Sequence, residues 1–457
     1  IKSVIFPMKP IQSIILFCVA LIQVTLAVGK PNILYIMVDD LGFGDLSSHG
    51  ATDLKSPNID KLMKEGMRFD NFYANCPVCS PTRAAAMTGR YPDIAGVPGV
   101  VRTHESNNWG YLNPKLPTLP ALLKTVGYHT AHVGKWHLGL EQENHPNKRG
   151  FDHFHGFLGD MMDDYYKHTR HGQHYMRLNQ NDIRPKGHAT DLFTDWSSDY
   201  LHSRAKSKDK NPFFLYLAYN APHTPIQPPK DWLDKVKTRE KDISDQRARL
   251  VALIEHMDGG IGKVLRVLKE TGLSKNTLVI FTSDNGGQVN VGGRNGIYKG
   301  GKQEMDDGGI RSTTCVVWPS RIKPDSRTSV VALTMDLTAT LLEIAGIKVN
   351  HKIDGISLLP TLSGKKQDLT QRYIVWMRLE GNAKYQGRTY YAIRQGDWKL
   401  TQNTAFENMR LYNLSKDPKE TIEVKNAQGI KRKLTNELMK HIHRAGEIPW
   451  QGTRNVD

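Results

Sequence analysis

The feature that most restricts how this chain can fold is a pattern repeated four times: a short β-rich run, then at once a cluster of polar residues able to do chemistry. "NILYIMV" (Asn32–Val38) leads into Asp39-Asp40, and "HTAHVG" (129–134) leads into Lys135-Trp136-His137. "PFFLYLAY" (212–219) leads into "NAPHTP", which carries His223, and "NTLVIFT" (276–282) leads into Ser283-Asp284-Asn285-Gly286-Gly287. An uninterrupted apolar run such as Asn32–Val38 reads as a strand buried on both faces, under helices. In an open α/β sheet, ligands bind at the carboxyl ends of the strands. Four such ends would bring two acid clusters, two histidines and a lysine to one rim. Singly, a strand-end Asp caps a turn or helix as readily as it binds a ligand. Together they define a candidate site.

The segments between these runs predict helices. "SPNIDKLMKEG" has Ser56 as N-cap, Pro57 at the first helical position and Gly66 as its stop. "TLPALLKTVGY" predicts a helix ending at Gly127, the stretch around 242–271 a long one, and "SVVALTMDLTATLLEIAG" another ending at Gly346. Alternating strands and helices indicate an α/β layer with a mostly parallel sheet flanked by helices. The alternation weakens after Gly355. "YYAIRQGDWKL" predicts a hairpin turning at Gly396, and "LTNELMKHIHRAG" a closing helix, so residues 356–457 read as a smaller C-terminal α+β subdomain after a catalytic domain at 28–355. No internal repeat is present.

With 457 residues the chain is long enough for one large domain plus a smaller one. It carries 62 Lys+Arg against 46 Asp+Glu, a net charge of +16. That balance suits nucleic acid, an anionic membrane face or an acidic polymer. The basic runs at 204–210 and 431–433 are short and no nucleic-acid-binding motif accompanies them, so no nucleic-acid partner is expected and a solvated basic surface is the simplest reading. Residues 1–27 read as a secretory signal peptide, with Met8 as initiator, Lys9 as the positive start, an apolar run at 14–22 and Thr25-Leu26-Ala27 before the cleavage point. The run is short for a membrane-spanning helix, so no stable membrane anchor is expected, and the protein would be exported, periplasmic or secreted. Removing the leader leaves Cys76, Cys79 and Cys315, too sparse and odd a set for a disulfide framework.

Three carboxylates (Asp39, Asp40, Asp284) and the Asn285 amide oxygen would make a hard, all-oxygen site suited to Ca²⁺, or less well to Mg²⁺. The absence of His from either acid pair argues against zinc. Arg83, Lys135 and Lys302 would add positive charge around an anion held there. A metal, three cations and two histidines suit displacement at a tetrahedral oxyanion, sulfate or phosphate. Cys79 stands near the start of a predicted helix, where anions are favoured. "CPVC" before a helix also fits a thioredoxin-like redox pair, but that reading leaves the carboxylates without a purpose.

Cys79-Ser80-Pro81-Thr82-Arg83 with "AAAMTGR" resembles the sulfatase signature C-x-P-x-R-x-x-x-L-T-G-R, with Met87 in place of Leu. "PNILYIMVDDLGFGDL", "GYHTAHVGKWHLG", "RGFDHFHGF", "SDNGG" and "DGGIR" extend the resemblance in family order over 31–418. Asp307 stands where the family usually has Glu. The resemblance implies an alkaline-phosphatase-like fold with a small C-terminal subdomain. It further implies that a formylglycine-generating or sulfatase-maturating enzyme oxidises Cys79 to Cα-formylglycine, whose gem-diol is the nucleophile and forms a sulfo-enzyme intermediate. Carried over by position, Asp39, Asp40, Asp284, Asn285 and modified residue 79 are the Ca²⁺ ligands. Arg83 and Lys135 steady the diol and sulfate, His137 takes the proton that drives collapse, His223 protonates the leaving alcohol, and Lys302 binds sulfate, with Lys299 as its competitor. Cys76 is a spectator unless it pairs with Cys79.

The spacing of "RGFDHFHGFLGDMMDDYYKH" and of the "SDNGGQVNVGGRNG" loop is most similar to arylsulfatase-B-type enzymes acting on 4-sulfated galactosamine and related polysaccharides. A sulfated galactan or glycosaminoglycan-type substrate is expected, with Asp163, Asp164, Lys167, His168, Arg294 and Asn295 either contacting the sugar or serving as ordinary loop charges. Two alternatives stay open: a phosphodiesterase or phosphonate hydrolase of the same superfamily, and a non-catalytic glycan-binding protein.

Overall fold

The computed structural model describes residues 29–104, 107–319, 321–380 and 389–450; the expected leader lies outside them. A single ten-stranded sheet organises the larger part of the chain. Its strands are β1 (Asn32–Val38), β2 (Met67–Phe69), β3 (His129–Lys135), β4 (His153–Phe157), β5 (Met176–Leu178), β6 (Asn181–Asp182), β7 (Phe213–Ala218), β8 (Thr277–Ser283), β9 (Thr314–Val317) and β10 (Ser326–Thr328). The middle five lie in the order β8, β1, β7, β3, β4 and all run parallel. Antiparallel pairs extend both margins, β8 with β9 on one side and β4 with β5 on the other.

Along β1, Leu34, Ile36 and Val38 pack into one helix layer while Ile33, Tyr35 and Met37 pack into the other. That period of two, apolar on both faces, is what an inner parallel strand needs. The first layer holds helices α1 (Pro57–Glu65), α4 (Ala189–Lys206) and α6 (Asp245–Glu270), with α5 (Lys230–Arg239) against α6. The second holds α2 (Cys79–Thr88), α3 (Leu119–Lys124) and α7 (Thr334–Ile344).

Several predicted boundaries moved for local reasons. The stretch 329–346 is not one helix: Ala332–Leu333 pairs with Phe72–Tyr73 as a short strand, and α7 starts at Thr334, where the Asp336 carboxylate accepts the Leu333 amide at 2.8 Å. Ser56 takes the N-cap position of α1 and Pro57 the first turn, but the Ser56 hydroxyl donates to Asp60 instead of capping. α3 stops at Lys124, short of Gly127.

A second, four-stranded antiparallel sheet is built from β11 (Tyr373–Leu379), β12 (Thr389–Gln395), β13 (Trp398–Gln402) and β14 (Arg410–Asn413), with α8 (Gln428–Gly446) against it. Gly396 turns the β12–β13 hairpin at φ +54°, as the sequence predicted. Leu358 and Leu362, which precede this sheet, pack with α7 in the larger layer.

The two parts are joined through a buried charge cluster centred on Asp307. Its Oδ2 accepts from Tyr73 Oη (2.7 Å) and Arg311 Nη2 (3.0 Å), and its Oδ1 accepts from Lys399 Nζ (2.8 Å). Lys399 also pairs with Glu420 at 2.8 Å, and Glu420 accepts the Asp307 amide. Burial works to raise the Asp307 carboxyl, but Lys399, Arg311 and Arg394 hold it well below the ordinary range. Removing one member of a buried ion cluster leaves the others unpaired, at a cost of about 3–5 kcal/mol. Asp307→Ala should therefore lower the midpoint of urea unfolding markedly; an unchanged midpoint would refute the clamp.

His132 on β3 is buried among Trp136, Phe151, Phe154 and Tyr216, and burial depresses its pKa to about 3. A histidine kept neutral in the fold protonates more readily when unfolded, so its contribution is full above about pH 6.5 and is lost as pH falls toward 3. Melting temperatures should drop between pH 7 and pH 4.5, and His132→Phe should flatten that slope.

Candidate active site

The stretch 76–83 shows how a segment with two cysteines builds one exceptional position. α2 begins at Cys79, and Pro81 falls in its first turn, where a missing amide proton costs nothing. Thr82 folds back to bond both the carbonyl and the amide of Cys76, each at 3.1 Å. Ser80 Oγ accepts the Val101 amide at 3.0 Å. Arg83 lies buried under the sheet rim and donates Nε and Nη2 to Asp284 Oδ2 at 3.0 and 2.8 Å. Cys76, Cys79 and Cys315 are all buried free thiols, and Cys76 is turned toward the Met377 carbonyl at 3.6 Å. No disulfide ties up Cys79.

The register of the inner strands explains why distant motifs meet. Val38 pairs with Ser283 and Met37 with Ala218, which pairs in turn with Gly134, so four strand ends lie level. Gly134 has φ +106°, and a Cβ there would sit 2.0 Å from the Ala218 carbonyl oxygen. The chain can thus turn Lys135 inward, and its Nζ reaches Asp39 Oδ2 at 2.5 Å. "SDNGG" and "DGGIR" touch directly: the Gly286 amide donates to the Gly309 carbonyl at 2.9 Å, and a Cβ on Gly286 would lie 1.8 Å from the Gly308 carbonyl oxygen. Only glycine fits that approach.

At the rim Asp40 takes the left-handed backbone conformation (φ +69°), a geometry concentrated at functional sites. Its Oδ1 accepts Asn285 Nδ2 at 2.8 Å, its Oδ2 accepts Lys302 Nζ at 2.7 Å, and its amide donates to Asp284 Oδ1 at 3.2 Å. Lys302 is therefore the lysine at the site; Lys299 pairs with Asp306 at 3.2 Å. Burial raises the Asp284 carboxyl, helped by the Asp39 charge, to about 7, while for Asp39 burial is outweighed by Lys135, His223 and Arg83.

Two oxygens of this cluster, Asp39 Oδ1 and Asn285 Oδ1, are buried without a hydrogen-bond partner. Each such orphan costs about 1–3 kcal/mol. One donor atom from each of Asp39, Asp40, Cys79 and His223 lies within 4.8 Å of the others. Bare oxygens among three carboxylates are the donor set of a hard divalent cation, so these residues fit a metal ion.

The two histidines flank the cluster. His137 (φ +59°) donates from Nε2 to the Val101 carbonyl at 2.7 Å, leaving a buried, unpartnered Nδ1 lone pair. Burial, then Lys135 and Arg83, push its pKa well below the ordinary value. His223 holds the Thr224 carbonyl through Nδ1 at 2.7 Å and directs Nε2 toward Asp40 Oδ2 at 3.6 Å. All ten residues singled out from the sequence at the strand ends, in the signature and at Lys302 are brought together.

Residues 31–347 match the family model described as "Sulfatase", and 293–447 match "N-sulphoglucosamine sulphohydrolase, C-terminal". The chain belongs to the sulfatase family. Relatives of this sulfatase include the N-acetylgalactosamine-6-sulfatase of Mus musculus, 33% identical over 81% of this chain and 71% of that protein. Arylsulfatase J of Mus musculus is 33% identical over 74% of this chain and 57% of its own length. Among solved structures, Ps i-CgsB in complex with k-i-k-neocarrahexaose superposes with a TM-score of 0.83 at 30% identity, covering 93% of this chain and 96% of that one. The PsFucS1 sulfatase from Pseudoalteromonas sp. shares the fold, with a TM-score of 0.76 at 23% identity over 97% and 96% of the two chains. The large mixed sheet between helices with a small C-terminal sheet is thus the alkaline-phosphatase-like fold of the family, and sulfate-ester hydrolysis is the enzyme's reaction class.

In the sulfatase, Cys79, His137, His223 and Lys302 open onto a cavity of about 500 Å³. Its walls include Arg102, Asp160, Arg170, His171, Gln288 and Arg378, none of them singled out from the sequence. Arg102 and Arg378 both bind Glu380, at 2.8 and 3.0 Å, so the C-terminal sheet supplies part of the wall. The one sequence signal was an Arg and a Glu closing the apolar run of β11. None of the six sugar-contact candidates lines this cavity. Asp163 holds Arg170, Asp164 accepts the Tyr166 and Lys167 amides, and Lys167 is exposed. His168 bonds the Gly187 carbonyl, Arg294 pairs with Asp53, and Asn295 bonds the Gly287 and Gly300 backbone.

Proposed function

We propose that this protein is an exported, Ca²⁺-dependent sulfatase that removes sulfate from a sulfated galactan or glycosaminoglycan-type polysaccharide, with residue 79 converted to formylglycine by a maturating enzyme. The observation that carries the reading is the setting of Cys79. It begins a buried helix, opens onto the cavity and stands beside the acidic cluster, yet burial, then the Asp39 charge, raises its thiol well above the ordinary value. Without a metal cation beside it, such a thiol stays protonated and is a poor nucleophile and a poor redox centre. The position makes chemical sense once the sulfur is gone.

When modified, residue 79 supplies an aldehyde hydrate, one hydroxyl to displace the alcohol from sulfur and a second to let sulfate leave. A hard divalent ion on Asp39, Asp40, Asp284 and Asn285 would supply charge for the oxyanion. The three carboxylates are already matched by Arg83, Lys135 and Lys302, so such an ion leaves the site positive and receptive to sulfate. Arg83 and Lys135 hold the ligand carboxylates in place and steady the residue-79 end of the reacting group. His137 accepts a proton at its bare Nδ1, His223 serves the leaving oxygen from Nε2, and Lys302, beside it on Asp40, holds sulfate.

A sulfated polysaccharide fits the basic chain, since a positive protein raises the local concentration of a polyanion. The names and ligand of the relatives at 30–33% identity point the same way. Among the described residues no helix is long and apolar enough to cross a membrane. Sulfate release from a panel of sulfated galactans and glycosaminoglycan fragments tests the substrate, alongside nitrophenyl sulfate and a nitrophenyl phosphodiester. Faster turnover of the phosphodiester would overturn the proposal in favour of phosphodiester chemistry, and binding without turnover would leave a glycan-binding protein.

A further inference from the structure

A second group of metal-ligating side chains lies outside the acidic cluster, where helices α4 and α6 meet. His188 is the N-cap of α4, Asp191 sits in its first turn, and His256 projects from the middle of α6. One donor atom from each lies within 4.8 Å of the other two. His256 Nε2 is 2.8 Å from Asp191 Oδ1, and the two imidazole rings meet with centroids 4.8 Å apart. We propose that His188, Asp191 and His256 bind a borderline divalent cation of the zinc class.

Three observations support the assignment. His256 is only 5% exposed, and its Nδ1 has no hydrogen-bond partner. Whichever ring nitrogen carries the proton, His256 keeps one lone pair that no protein donor uses: Nδ1 is bare if Nε2–H donates to Asp191, and Nε2 faces a carboxylate if Nδ1 is protonated. A cation between Nε2 and Asp191 Oδ1 relieves the second case, the lone pair held against a carboxylate. Nε2 and Asp191 Oδ1, a hydrogen-bonded pair 2.8 Å apart, also need to part by only about 0.5 Å to reach the roughly 3.3 Å edge between two ligands held about 2.0 Å from a tetrahedral ion.

His188, in turn, is prepared as a ligand. Its Nε2 donates to the Gln227 carbonyl at 3.0 Å, which places the remaining lone pair on Nδ1. An imidazole whose far N–H is fixed by a carbonyl is the usual second support of a metal-bound histidine. That Nδ1 is engaged only by the Thr190 amide, in a 3.2 Å cap bond that an ion would displace. Asp191 is exposed, which leaves a solvent-facing position for water as a further ligand.

The site would brace a catalytic segment. Tyr165 stacks on His188 at 4.9 Å, its amide donates to Gln227 Oε1 at 2.8 Å, and its hydroxyl bonds the Asn220 and His223 carbonyls at 2.9 and 2.8 Å. An ion fixing His188 therefore stiffens the backbone that carries His223.

The test is calorimetric titration of Zn²⁺ into chelator-treated full-length protein, with Co²⁺ as an optical probe of tetrahedral nitrogen ligation. With Ca²⁺ in excess to occupy the acidic cluster, the wild type should bind one Zn²⁺ with a Kd of about 1 μM or tighter. The His256→Gln and His188→Ala variants should each weaken that event by ~100-fold or more and lose the Co²⁺ visible band. Asp40→Asn, in the acidic cluster, should leave the event intact. Zn²⁺ should also raise the melting temperature of the wild type but not of His256→Gln. Absence of binding by the wild type, or an isotherm that His256→Gln leaves unchanged, overturns the proposal.

Discussion

Cys79→Ala is expected to lower sulfate-ester turnover by at least about 10⁴-fold while leaving the fold in place, because the variant loses the nucleophile and nothing that holds the site together. The neighbouring contacts run through other atoms of the motif. Thr82 ties down Cys76, Ser80 anchors residue 101, and Arg83 clamps Asp284. Removing the small side chain at 79 should cost about 1 kcal/mol of stability or less. Sulfate release measured beside thermal melting separates the two effects. Residual turnover within tenfold of the wild type would remove residue 79 from the chemistry, whatever the melting curve showed.

Asp284 should behave differently, because under the proposed function its carboxylate has two duties. It accepts two hydrogen bonds from the buried Arg83 guanidinium, and in that reading it also helps hold the cation. Asp284→Ala leaves a buried arginine without its partner, at an expected cost of about 3–5 kcal/mol, and should lower activity, bound metal and melting temperature together. Asp284→Asn keeps the shape and one acceptor for Arg83, so it should recover most of the stability and little of the metal content or activity. Elemental analysis of purified proteins, with melting curves, distinguishes the duties. If Asp284→Ala retained its metal and lost only stability, the carboxylate would be a structural partner of Arg83 and no ligand.

What the sequence disclosed follows from how local its signals are. The inner strands were legible because burial on both faces leaves unbroken apolar runs, and the polar residues after them stood out against that background. Asp39, Lys135, His223 and Asp284 come from four strands and meet because those strands are parallel and in register, which the α/β pattern implied. Lys302 was harder, since Lys299 lies three residues away in the same glycine-rich loop; only the folded loop shows one lysine on Asp40 and the other on Asp306.

The cavity walls were not legible. Arg102 and Arg378 are 276 residues apart in number and are joined by one buried Glu380, a relation that no periodicity or spacing records. Asp163 and Arg294 drew notice as loop charges near the motifs, yet they form ion pairs of their own. The Asp307 clamp likewise looked like a departure from a family pattern. In the fold it is the point where the C-terminal sheet, through Lys399, is fastened to the larger domain.

The central claim is that residue 79 works as an aldehyde and not as a thiol. The most direct measurement is the mass of the peptide containing residue 79, taken from catalytically active enzyme produced in a host with a maturating enzyme. A species about 18 Da lighter than the cysteine peptide, the change from CH₂SH to CHO, is expected in proportion to activity. An unmodified cysteine peptide from a preparation that turns over sulfate esters would contradict it.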